Sequence, residues 1–259
     1  MSEAPGVNFD TRVPADSSTI ASNIRHTLSL GLRDADDEPL ETLTVIANGP
    51  SALDWPGWTD RNAASERPTL ALNGALRLFV ERDMAPSFWA ACDPQDIVAK
   101  FLEVAPRSTQ YLVASKCHAD VFDALAGRDV RLWHVDEDGT PPGLRTVQPS
   151  SSITGTALAL MRALGWRKFE VWGWDACFIN GLDHAAPQPI APINVVTVVL
   201  GEGPDAKGFH TTPTWAHEAE GAWKRLWGAD YQVDVRGPGL IAEMLRFQGV
   251  TKQTEGLAA

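Results

Sequence analysis

Asn48-Gly49-Pro50-Ser51 cuts off an apolar run, Leu43, Val45, Ile46 and Ala47, with four residues that neither extend a strand nor start an ordinary helix. Gly49 permits close backbone approach, and Pro50 stiffens the turn and can open a helix. Exposed N–H groups there, together with the Ser51 hydroxyl, can receive a phosphate or a ribose. The same residue types also make a plain strand-to-helix turn. Two further clusters follow apolar runs: Asn73-Gly74 after "TLAL" and Asp93-Pro94 after "FWAAC". Asn73 offers a donor and an acceptor to a base or sugar, and Asp93 can accept from a ribose hydroxyl or hold a divalent cation. Asn-Gly is equally a common turn and Asp-Pro a common helix opening.

The fourth cluster is the largest. Ser150, Ser151, Ser152 and Thr154 crowd the start of a helical pattern, where unpaired N–H groups and the helix dipole favour an anion. One serine would suffice as a cap, so phosphate binding and capping both remain open. The next apolar run ends at Gly173-Trp174-Asp175, and a polar loop then carries Asn180, Asp183, His184 and Gln188. Asp175 with Asp93 is a candidate pair of hard ligands for Mg²⁺ on a triphosphate. His184 is a candidate general base for an acceptor hydroxyl, since an imidazole titrates near neutrality. Trp174, Asn180 and Gln188 are candidate substrate contacts. A capping Asp and a surface His are the ordinary alternatives.

These residues need elements to hold them. Strand-like runs fall at 42–47, 69–72, 88–92, 110–114, 130–135, 168–173, 195–200 and 231–235, with helical patterns between most of them. The clearest helix carries Ile153, Ala157, Leu160, Met161 and Leu164 on one face and ends at Gly165. Another opens at Thr212-Pro213, presents Trp215, Ala219, Ala222, Trp223 and Leu226, and ends at Gly228. A last one follows Gly237-Pro238. A first helix is expected over Ile20–Leu32, after a polar arm and before an acidic, solvated connector over Arg33–Glu41. The alternation predicts an α/β fold, a three-layer Rossmann-like and mainly parallel sheet with helices on both faces. The organisation expected is an arm and helix over 1–41, one nucleotide-binding domain over 42–250 and a tail over 251–259. In such a sheet, ligands lie outside the carboxyl ends of the strands, which is where the polar clusters stand.

Composition narrows the partners. The net charge of −11 argues against a nucleic-acid partner. No apolar run reaches the 18 residues a membrane helix needs, and Met-Ser-Glu-Ala-Pro-Gly lacks the features of a secretory leader, so a cytoplasmic protein is expected. Cys92, Cys117 and Cys177 are odd in number and widely spaced, and predict reduced core thiols. A small-molecule partner is the remaining expectation.

The ordered segments "IANGPSALDW", "LALNGAL", "PSFWAACDP", "SSSITGTALALMRALGWRKFEVWGWDACF" and "FHTTPTWAHEA" resemble the family of archaeal 6-hydroxymethylpterin diphosphokinase-like proteins and bacterial motility accessory factors. More distantly the chain is similar to bacterial CMP-sialic-acid sialyltransferases. The resemblance spans about Leu43 to Leu245. It implies a nucleotide above the strand ends, with Asn48, Gly49 and Ser51 in the nucleotide loop, Asn73 and Asp93 near nucleoside or metal, Ser151 and Ser152 near phosphates, and Asp175 as the family's aspartate. The chain departs from the sialyltransferases after Asp175, where Phe178 and Ala185 stand in place of tyrosines. The leading expectation is Mg²⁺-dependent diphosphoryl transfer from a nucleoside triphosphate to a small-molecule hydroxyl acceptor. Glycosyl transfer from a nucleotide-sugar, of the CMP-nonulosonate type, is the alternative, and a non-catalytic nucleotide-binding protein the third.

Overall fold

The computed structural model describes residues 16–34, 42–186, 194–226 and 229–247. Short runs bounded by turn residues form the strands β1 (Arg33–Asp34), β2 (Thr42–Ile46), β3 (Thr69–Leu72), β4 (Phe88–Ala91), β5 (Gln110–Ala114), β6 (Asp129–Val135), β7 (Thr146–Val147), β8 (Lys168–Trp172), β9 (Val196–Leu200), β10 (Lys207–Thr211) and β11 (Gln232–Val235). The helices are α1 (Ser17–Ser29), α2 (Arg61–Ser65), α3 (Leu76–Val80), α4 (Ala119–Ala124), α5 (Ile153–Ala163), α6 (Pro213–Leu226) and α7 (Leu240–Phe247). One sheet runs β1-β6-β5-β4-β3-β2-β8-β11, with β7 paired to the end of β6. Every pairing in it is parallel. A parallel sheet needs cover on both faces, and β3 and β4 are buried at every position. The molecule is the Rossmann-like α/β sheet that the alternation predicts.

Local chemistry sets the helix ends. Asp16 accepts from the Thr19 N–H at 2.7 Å and starts α1 ahead of the expected Ile20. At the end of α5 the Gly165 N–H donates to Arg162 and the Trp166 N–H to Met161, a Schellman closure made possible by φ +102 at Gly165. Thr212 Oγ1 accepts from the Trp215 N–H at 3.1 Å and opens α6.

Two expectations need correction. Arg33 and Asp34 form the edge strand β1, where a solvated connector is expected. The run near Val195 does not enter the parallel sheet: β9 pairs antiparallel with β10 in a separate ribbon. Half-buried Val196, Val198 and Leu200 alternate with exposed Thr197 and Val199, and such one-sided burial suits a ribbon rather than a strand covered on both faces. The arm up to residue 15, the segment 35–41, Gly228 and the tail from 251 lie outside the described residues.

From β2 the chain fills the sheet outward through β3, β4, β5 and β6. It then returns to place β8 and β11 on the other side of β2. The boundary between β2 and β8 is therefore the topological switch point, where diverging connections leave a crevice at the carboxyl ends. Among the described residues no helix is long and apolar enough to cross a membrane.

Candidate functional site

A cavity of about 310 Å³ opens at that switch point. Its walls are the ends of β2 and β3 (Asn48, Asn73), the end of β8 (Trp174, Asp175), the first turn of α5, the loop with Asp183 and His184, and α6 with Trp215 and Glu218. The sheet thus converges residues separated by more than 160 positions in the chain.

The Asn-Gly-Pro-Ser loop is held inward. The Gly49 N–H donates to the Gly173 carbonyl at 2.8 Å, and the Ser51 N–H donates to Asp175 Oδ2 at 2.8 Å. Ser51 Oγ accepts from the Gly173 N–H at 3.0 Å. A Cβ at Gly49 would stand 2.5 Å from both Asp175 Oδ2 and the Gly173 oxygen, so close approach of the two loops requires glycine there. Asn48 makes a two-way pair with the Ala186 backbone, donating from Nδ2 and accepting at Oδ1, each at 3.0 Å. Its carbonyl accepts from the Ala185 N–H at 2.8 Å. The sequence expectation of an open phosphate cradle at this loop is corrected: these donors are engaged by the neighbouring strand end, and the loop shapes the cavity wall. Pro50 is buried at the start of a 3₁₀ turn, Pro50–Asp54, and does not line the cavity.

Asp175 is the joint between the two loops. It is 2 % exposed, and burial raises its carboxyl from 3.8 to about 6 against hydrogen bonds from Ser51 that lower it. Oδ1 has no hydrogen-bond partner. Ala176 follows at φ +53, and its carbonyl accepts from Thr211 Oγ1 at 2.5 Å, which ties the loop to the ribbon. Cys177 is a neutral buried thiol raised to about 11 by desolvation, its sulfur accepting from the Leu240 N–H.

The serine cluster is turned onto a carboxylate. Ser152 caps α5, accepting from the Gly155 N–H at 3.3 Å, and donates to Glu218 Oε1 at 2.6 Å. Ser151 donates to Glu218 Oε2. Ser150 Oγ lies 3.4 Å from the same carboxylate, and the Trp174 indole N–H donates to it at 3.2 Å. Arg225 reaches it at 3.5 Å. The anion expected at this helix terminus is supplied by the chain itself. Thr154 is buried beside it in the cavity wall.

Other predicted residues divide. Asn73 sits at φ +45 with Oδ1 buried and without a partner, and it lines the cavity. His184 lines it too, with Nδ1 3.5 Å from Asp183 Oδ2 and its ring 5.9 Å from that of Trp215. Asn180 does not: with φ +52 followed by Gly181 at +78, it forms the tip of a tight two-residue hairpin between Ile179 and Leu182. Gln188 lies outside the described residues.

The proposed metal pair is not brought together. Asp93 follows β4 and Asp175 follows β8, and β3 and β2 stand between them. Three steps of strand spacing separate the two ends by about 14 Å. Asp93 Oδ1 accepts instead from the Gln95 N–H at 2.9 Å. Among the described residues no group of three or more His, Cys, Asp and Glu converges in a way that could hold a metal. These carboxylates do not fit a shared Mg²⁺.

No family model matches the chain, and no curated protein matches it in sequence. Similarity appears instead at the level of solved structures. The chain superposes on the MAf glycosyltransferase from Magnetospirillum magneticum AMB-1 with a TM-score of 0.56 at 14% identity, over 78% of this chain and 33% of that one. The chain therefore spans about a third of the length of the protein it matches, and the likeness is one of fold.

Sequence reasoning missed Glu218 and left Trp215 as an apolar helix residue. A signal existed: Trp215, Glu218, Ala219, Ala222 and Leu226 follow helical spacing, so Glu218 is a charge inside an apolar stripe. Such a residue needs a buried partner.

Proposed function

We propose that this chain is a glycosyltransferase-type enzyme that moves a sugar from a nucleotide-linked donor to the hydroxyl of a small-molecule acceptor. The observation that carries this is His184, paired with Asp183 beside Trp215, lining the cavity at the switch point. A solved neighbour of similar fold is a glycosyltransferase.

In this reading His184 takes the proton from the acceptor hydroxyl as its oxygen attacks the sugar's anomeric carbon. The bond from that carbon to the nucleotide phosphate oxygen breaks, and its electron pair leaves with the phosphate. Asp183 orients the imidazole and stabilises the imidazolium that forms. Trp215 offers an apolar face to the ring of the sugar or base. Asn73 Oδ1 is a buried acceptor for a donor hydroxyl or amine. Diphosphoryl transfer from a triphosphate is less well supported. About four negative charges would enter beside Asp175, Asp183 and Glu218, and no Lys or Arg lines the cavity among the described residues.

The test is calorimetric titration with CMP, CTP, ATP and GTP, each with and without Mg²⁺, followed by assays of nucleotide-sugar turnover. Metal-independent binding of a nucleotide, with sugar transfer or donor hydrolysis, is expected. His184→Ala should lower turnover by about 10²- to 10⁴-fold while leaving nucleotide binding intact. Full turnover in that variant would refute the assignment of the base, and nucleotide binding without any turnover would mark a binding protein.

A further inference from the structure

The mechanism above does not use Glu218, although it is the most heavily bonded carboxylate of the cavity wall. It is 4 % exposed. Donors reach it from three parts of the chain: the hydroxyls of Ser150, Ser151 and Ser152 before α5, the Trp174 indole after β8, and the Arg225 guanidinium one helical stretch along α6. The packing around it has no slack. A Cβ at Gly155 would lie 2.2 Å from Ser150 Oγ and 2.9 Å from an Arg225 nitrogen, so glycine in the first turn of α5 lets both approach the carboxylate. A buried carboxylate at the start of an 11-residue helix satisfies the positive end of the dipole in the way a bound phosphate would.

We propose that Glu218 is a specificity-determining residue, an internal anion that excludes a ligand phosphate from the hydroxyl cluster beside the cavity. Three consequences follow from charge and geometry. The serine hydroxyls already donate to Glu218. A second anion placed there would sit against a buried negative charge whose donors are already engaged. The ligand's phosphate must therefore be held elsewhere in the cavity, which selects donors that carry little charge near α5. This selection of donors rests on the nucleotide-sugar reading, but exclusion of anions by Glu218 does not.

The experiment measures binding of inorganic phosphate and of pyrophosphate to wild type, Glu218→Ala and Glu218→Gln, by calorimetry, with folding checked by circular dichroism. Wild type is expected to bind neither at the cluster. Glu218→Ala should gain phosphate affinity by roughly ten- to a hundredfold, the range that one charge-assisted hydrogen bond supplies. Adding Ser152→Ala to that variant should remove the gain. Glu218→Gln, which keeps the volume and one acceptor oxygen but removes the charge and replaces the other oxygen with an amide donor, carries the test if the alanine variant does not fold, and it should show a smaller gain of the same sign. A folded variant with no gain would overturn the proposal, and so would wild-type phosphate binding that Ser152→Ala abolishes. Loss of the nucleotide-sugar activity from all preparations, with the phosphate gain intact, would refute the glycosyl reading alone.

Discussion

Asp175 shows what burial does to a single carboxylate. Desolvation raises it to about 6, and the Ser51 hydrogen bonds only partly offset this. The folded state thus holds the proton more tightly than the unfolded chain. The stability from this group is fully present below the unfolded value of 3.8 and is lost as pH rises through about 6. Two pKa units correspond to an upper figure of about 3 kcal/mol. Asp175→Asn keeps an acceptor for the Ser51 N–H and removes the ionisation. Its stability relative to wild type is expected to rise between about pH 4 and pH 7 by up to that amount, read from denaturant midpoints at each pH. A flat difference across the window would show that Asp175 titrates normally. The identity of Asp175 as a site residue was legible from its place after a strand. Its role as a joint was not, because the partner Ser51 lies 124 residues earlier.

At the scale of elements, the contact between the ends of β2 and β8 depends on the absence of side chains. Both nearest atoms to a Cβ at Gly49 belong to fixed groups, a backbone carbonyl and a buried carboxylate. Gly49→Ala is therefore expected to destabilise by about 1–3 kcal/mol, visible in thermal unfolding. It should weaken nucleotide binding in parallel, since the same loops wall the cavity. An unchanged melting temperature would mean that the loops separate freely. The helices repeat the lesson in a different form. The cap of α5, the Schellman closure at Gly165 and the proline start of α6 are local, and the spacing of residues announces them. The ribbon of β9 and β10 was not announced, because "KGFHT" carries little apolar signal and a two-stranded ribbon is defined only by the surface on which it lies.

At the scale of the whole molecule, strand order decides which strand-end residues can act together. Asp93 and Asp175 look equivalent along the chain, yet three strand spacings part them. Asp93→Asn is expected to leave nucleotide affinity and its Mg²⁺ dependence within about twofold of wild type, because the residue lies outside the cavity. A loss of more than tenfold in calorimetry would put Asp93 in the site after all. Because periodicity and turn chemistry are local properties, the sequence by itself determined the class of fold, the longer strands of the sheet and the short list of polar residues at their ends, while the two-residue strands β1 and β7 and the separate ribbon escaped it. Only the tertiary structure decided how those residues are used. The Gly49 and Ser51 N–H groups face another strand end, the serine hydroxyls face Glu218, and His184 meets Trp215. Each of these pairings is set by the order of strands and by burial, neither of which any short stretch of sequence encodes.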